Sequence, residues 1–114
     1  MDNRISDKDL EFVNGGVNNS EEAITGAIGW LQAAVEHCAQ SQILSFLYEP
    51  RISGLIQRLQ SCNGDFEVII DVVHELSHIK SNLDCDSNHL SDDAEQRIYG
   101  FVSSFLTKAI NQLS

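Results

Sequence analysis

The chain has 114 residues, 42% of them hydrophobic and 21% charged, with 17 acidic against 7 basic side chains and a formal net charge of −10. Such a length and balance describe one small domain with a modest core, and the charge argues against nucleic acid or an anionic membrane surface as a direct partner, since both repel an acidic protein. No uninterrupted apolar run approaches the roughly 20 residues that a membrane-spanning helix requires, and the start lacks the charged, apolar and small-residue blocks of a general secretory signal.

In chain order, the first element is the stretch from Met1 to Gly16, which reads as a removable address. Ile5, Leu10 and Val13 recur at spacings that can share one side of a short helix or turn, with charged residues between them, and Gly15-Gly16 closes the stretch. Two adjacent glycines present a thin, extendable backbone. A peptidase with a narrow cleft needs such a backbone ahead of its scissile bond, because a β-carbon there collides with the cleft wall. The implied cut is Gly16-Val17. A glycine C-cap ending an N-terminal helix is the alternative reading of the same pair.

Ile5, Ser6, Asp9, Leu10, Val13, Gly15 and Gly16 together resemble the double-glycine leader peptides of class II bacteriocins, microcins and peptide pheromones, over residues 5–16 only. The resemblance implies export by an ABC transporter whose cysteine-peptidase domain reads Leu10 and Val13 and cuts after Gly16. Removal of the leader leaves 98 residues, and 5 basic against 13 acidic side chains keep the net charge at −8. Ordinary bacteriocins are commonly cationic and membrane-seeking, so the cargo departs from that pattern.

Residues 17–114 read as helical nearly throughout. Asn19 or Ser20 caps a first helix with Glu21 and Glu22 in its first turn, and Ile24, Ala27, Ile28, Leu31, Ala34, Val35 and Cys38 give one apolar face that carries it to about Leu47. Gly26 and Gly29 weaken this helix early and permit close helix contact. A second helix begins at Pro50, turns Ile52, Leu55, Ile56 and Leu59 inward and stops at Asn63-Gly64. Asp65 caps a third, with Phe66, Ile69, Ile70, Val73, Leu76 and Ile79 or Leu83 inward, which fades in the polar run Asp84-Cys85-Asp86-Ser87-Asn88. Ser91 caps a fourth, with Asp92 and Asp93 in its first turn and Ile98, Phe101, Val102, Phe105, Leu106 and Ile110 as its buried stripe. Four amphipathic helices on short loops predict an all-α, single-domain, up-and-down four-helix bundle.

Cys38, Cys62 and Cys85 stand far apart and outside any C-x-x-C spacing, so at most one disulfide forms within the chain. In an exported protein one thiol is left over, whereas inside the cell three reduced thiols pack as small hydrophobes.

The constellation with chemical content is His74-Glu75-Leu76-Ser77-His78 in the third helix. Histidines at i and i+4 face the same way and can grip one Zn²⁺, while the intervening glutamate can polarise a zinc-bound water for attack on a peptide carbonyl. The pentapeptide resembles the zincin metallopeptidase motif. In its longer pattern Asp84 falls on the third-ligand position, although Ser81 stands where that pattern has glycine. In the other large branch a glutamate on a following helix completes the site, and Glu95 is the counterpart, with His89 and Cys85 as further candidates. At about 100° per residue the two histidines share a sector with Glu67 and Asp71, nearly opposite the Ile69-Val73-Leu76 stripe, so they also read as an ordinary wet face with adventitious metal binding.

Three function classes follow. The leading expectation is a secreted, bacteriocin-like helical protein without a required cofactor that binds a protein target through its acidic surface. The second is a very small zinc peptidase using His74, His78 and Glu75. The third is an intracellular helical immunity or adaptor protein, in which Gly15-Gly16 is only a helix stop.

Overall fold

A computed structural model describes residues 17–114, and these form five helices with no strand among the described residues: α1 (Glu21–Cys38), α2 (Gln42–Leu47), α3 (Glu49–Gln60), α4 (Phe66–Asn88) and α5 (Asp93–Leu113). The four long helices close a ring in which α1 packs on α5 and α3, and α4 packs on the same two. Hydrogen bonds at the two ends fix the directions. At one end the Asn18 N–H donates to the Leu113 carbonyl at 2.6 Å, and the Asn19 side-chain amide donates to the Gly64 carbonyl at 3.3 Å. At the other, Ser41 bonds Glu95, and the Tyr48 hydroxyl donates to Asp86 at 2.6 Å. Successive long helices are therefore antiparallel, and the architecture is the helical bundle that the periodicity predicts. No described helix is long and apolar enough to cross a membrane.

The helix starts are chemically explicit. Ser20 Oγ accepts from the Ala23 N–H at 3.1 Å, with Glu21 and Glu22 in the first turn beside the positive end of the helix dipole. Asp65 caps α4 through the Glu67 N–H, and Pro50 occupies the first turn of α3, where its missing N–H costs no helical bond. Asn63 and Gly64 both adopt positive φ, 54° and 75°, and this left-handed pair ends the turn after α3.

Four expectations about these elements are corrected. The first helix does not run to Leu47. It ends at Cys38, and Ser41 starts α2 by accepting from the Leu44 N–H at 3.2 Å, so a short helix carries the chain around the end of the bundle. The third helix does not fade at Asp84: it continues to Asn88, because Asp84 is held by Lys80 and Ser103 and Asp86 by Tyr48. Asp92 rather than Ser91 caps the last helix, accepting from the Ala94 and Glu95 N–H groups.

The fourth correction concerns which residues are buried. In α5 the fully covered stripe is Tyr99, Val102, Leu106, Ala109 and Leu113, while Phe105 is half-buried and Phe101 is 49% exposed. Phe66 is likewise exposed. On α1 the core face is Ala23, Ala27, Leu31, Ala34 and Cys38, with Ile24, Ile28 and Val35 at its margin. Small residues on that face let α1 approach α5 closely, and the aromatic rings are then displaced to the seam between them. At Gly26 an added β-carbon would meet the Gln112 side chain at 2.9 Å, so the close contact expected of this glycine is with α5.

Candidate functional site

The residues expected to be read and cut as a leader, Ile5, Leu10, Val13, Gly15 and Gly16, lie outside the described residues. Immediately after the implied cut the chain is tied into the bundle. Val17 packs against the core, Asn18 reaches the end of α5, Asn19 reaches the turn between α3 and α4, and Ser20 caps α1.

On α4, His74 and His78 stand one turn apart on the exposed outer face, as their spacing requires. They line a shallow depression with Arg58, Asp71 and Glu75. Glu75 accepts from the Arg51 guanidinium at 3.0 Å, and Asp71 faces Arg58 at 3.7 Å, so both carboxylates beside the imidazoles are engaged by cations of α3. The candidate third ligands are engaged elsewhere or stand apart. Asp84 accepts from Lys80 at 2.8 Å and from the Ser103 hydroxyl at 2.6 Å, and Glu95 accepts from Ser41 at the α2 end. His89 is the C-cap residue of α4, and Cys85 is exposed.

Among the described residues no three His, Cys, Asp or Glu side chains are grouped to hold a metal ion. Catalytic zinc takes three protein ligands and keeps a fourth position open. The depression offers two imidazoles and two carboxylates, and both carboxylates are paired with guanidiniums of α3. An i,i+4 imidazole pair remains able to bind a divalent cation weakly. Because both rings are exposed, the double change His74→Ala with His78→Ala is expected to shift stability by no more than about 0.5 kcal/mol in urea denaturation. A larger loss would show that the histidines hold the fold.

Asp84 carries a different property. Burial by itself raises its pKa, but the hydrogen bonds from Lys80 and Ser103 and the Lys80 charge outweigh that and leave it lowered from 3.8. A carboxylate with a depressed folded pKa stabilises the native state above its unfolded pKa, and this stabilisation is lost as pH falls through the folded value. Asp84→Asn is therefore expected to destabilise the protein at pH 7 by about 1 kcal/mol or less, since the Lys80 pair is partly exposed. Denaturation midpoints of variant and parent should converge as the pH falls through the lowered pKa of the folded state. A constant difference across that range would show that the packing of the side chain, not its charge, sets the effect.

The three thiols are free. Cys38 and Cys62 are buried at opposite ends of the bundle, one closing α1 and the other just past α3, which rules out a bond between them. Burial, with the Glu49 carboxylate adding to it, pushes the Cys38 thiol up to about 11 and makes it a poor nucleophile.

Two surface features were not legible from periodicity. On α2 only Leu44 is buried, so Ile43 and Leu47 stand about half exposed and Phe46 is 80% exposed. This apolar knob lies in a stretch that reads as the continuation of a long helix, and only the break at Ser41 turns it outward. The other feature is an aromatic row along the α1–α5 seam. Trp30 stacks on Phe105 with centroids 5.8 Å apart, His37 sits 5.0 Å from Phe105 and 5.5 Å from Phe101, and Lys108 Nζ lies 4.6 Å over the Trp30 ring. His37 is oriented by its Nδ1–H, which donates to the Ala33 carbonyl at 3.1 Å. Compared with protein-family models, with curated protein sequences and with solved structures, the chain matches none.

Proposed function

We propose that the protein is a bacteriocin-like, microcin-type helical protein, made in the cytoplasm with a double-glycine leader and secreted once that leader is removed. An ABC transporter with a cysteine-peptidase domain is its export partner, and the mature helical domain acts by binding a protein target. The observation that carries this reading is the position of the glycine pair. The ties of the bundle to its first stretch of chain are made by Val17, Asn18, Asn19 and Ser20, so a cut between Gly16 and Val17 leaves those residues to seal the domain. The exposed knob of Ile43, Phe46 and Leu47 supports the second half of the reading, because three large apolar side chains in one patch on a small acidic domain suit contact with another protein.

The test is the mass of the protein recovered from the medium of producing cells. Material beginning at Val17 is expected, and secreted material beginning at Met1 would defeat the proposal. A peptidase reading using His74, His78 and Glu75 has no observation in its favour beyond the motif itself. An immunity or adaptor role has the bundle in its favour but leaves the glycine pair as a helix stop only.

A further inference from the structure

The aromatic row on the α1–α5 seam is bordered by acidic side chains on its α1 side and, beyond the acidic first turn of α5 at Asp93, by cations on its α5 side. At about 100° per residue, Glu22, Gly29, Ala33 and Glu36 fall within one sector of about 60° on the outer side of α1. On α5, Arg97, Phe101 and Lys108 share a sector of about 40°, with Phe105 at its inner edge. Glu22, Glu36, Arg97, Phe101 and Lys108 are all exposed. Among the described residues, Arg51, Arg58 and Lys80 are ion-paired within the bundle, whereas Arg97 and Lys108 make no such pair. Both of these cations therefore lie on one edge of one face, in a molecule of net charge −10. Gly29 adds open space on the other edge, since nothing lies within 4 Å of a β-carbon built there.

We propose that this face is where a second copy of the chain docks, with α1 of each copy lying on α5 of the other about a two-fold axis parallel to the helices. That axis keeps every residue at its own height along the bundle. Phe101 is level with His37, so in the dimer it covers the Ala33–His37 turn of the other copy and loses its exposure to water. Lys108 is level with Trp30, which seats it over the opposing Gly29, between Glu22 and Glu36. Arg97 lies one turn, about 6 Å, beyond Phe101, which leaves it roughly 7–8 Å along the axis from the opposing Glu36, a span that the two long side chains can close. Acidic and basic side chains then alternate along both seams. The other in-plane two-fold, perpendicular to the helices, stacks α1 on α1 and α5 on α5, and it sets acid against acid and cation against cation. Charge therefore selects the dimer's orientation as well as its partner. A face two helices wide and about 27 Å long offers on the order of 500 Å² per copy, less than the ~800 Å² of a standard interface, so the dimer should dissociate on dilution.

The experiment is sedimentation equilibrium of the full chain and of two charge reversals, Glu36→Lys and Arg97→Glu, whose exposed sites leave helix content unchanged by circular dichroism. The parent is expected to be dimeric at concentrations on the order of 100 µM, and each reversal should weaken dimerisation by at least about tenfold. An equimolar mixture of the two variants should recover the parent's affinity. In a mixed dimer the introduced lysine of one copy meets the introduced glutamate of the other on one seam, and the native Glu36 meets the native Arg97 on the second. A monomeric parent at that concentration would overturn the proposal. So would a dimer indifferent to both reversals, or a mixture no tighter than its components.

Discussion

Leu106→Ala is expected to destabilise the bundle by about 2–5 kcal/mol, combining the lost transfer free energy of the side chain with the cavity it leaves. Leu106 has no exposed surface and sits in the α5 stripe with Val102 and Ala109. A domain of this size has a total stability of roughly 5–15 kcal/mol, so the substitution removes a large fraction of it. Phe105→Ala is the informative comparison. Ring size alone ranks it as the costlier change, but Phe105 is half-buried and its best contacts are the Trp30 ring and His37 at the surface seam. It should therefore cost less than Leu106→Ala. Urea midpoints for the two variants decide the matter, and an equal or greater loss for Phe105 would mean that α5 is rotated relative to the arrangement described.

Gly16→Trp is expected to abolish leader removal, so that transport-competent cells accumulate the full-length chain and release no product beginning at Val17. The physical reason is steric: an indole cannot enter a cleft shaped for a backbone without β-carbons. Leu10→Ala should instead slow processing without preventing it, since it removes recognition surface and leaves the scissile site intact. Mass spectrometry of cell and medium fractions separates the two outcomes. Normal processing of Gly16→Trp would eliminate the double-glycine reading and leave the pair as a helix stop.

The aromatic residues show where the sequence is a poor guide. Periodicity ranks positions by apolarity, and Phe66, Phe101 and Phe105 are among the most apolar choices on their helices, so that ranking sends them inside. The bundle places small residues there instead. Ala27, Ala34 and Ala109 are fully buried, and with these small residues on the core face Phe101 and Phe105 stand at the margin of the α1–α5 contact, while Tyr99 is the one ring that α5 buries. The histidine pair meets the same limit. Spacing on one helix does put His74 and His78 together, but a third ligand depends on which neighbouring helix faces them, and α3 presents Arg51 and Arg58.

The features legible in the chain before any folding are local ones. The caps at Ser20 and Asp65, the proline start of α3, the left-handed stop at Asn63-Gly64 and the existence of four long amphipathic helices all depend on groups within a few residues of one another. The antiparallel bundle follows from those helices and their short connections. Contacts between distant parts of the chain set the break at Ser41, whose hydroxyl is held by Glu95 from 54 positions away, and the persistence of α4 through a polar run secured by Tyr48 and Ser103. They also set the rotation of each helix about its own axis. That angle is fixed by how opposing side-chain volumes interlock, a property of pairs of helices that no single stretch of chain carries.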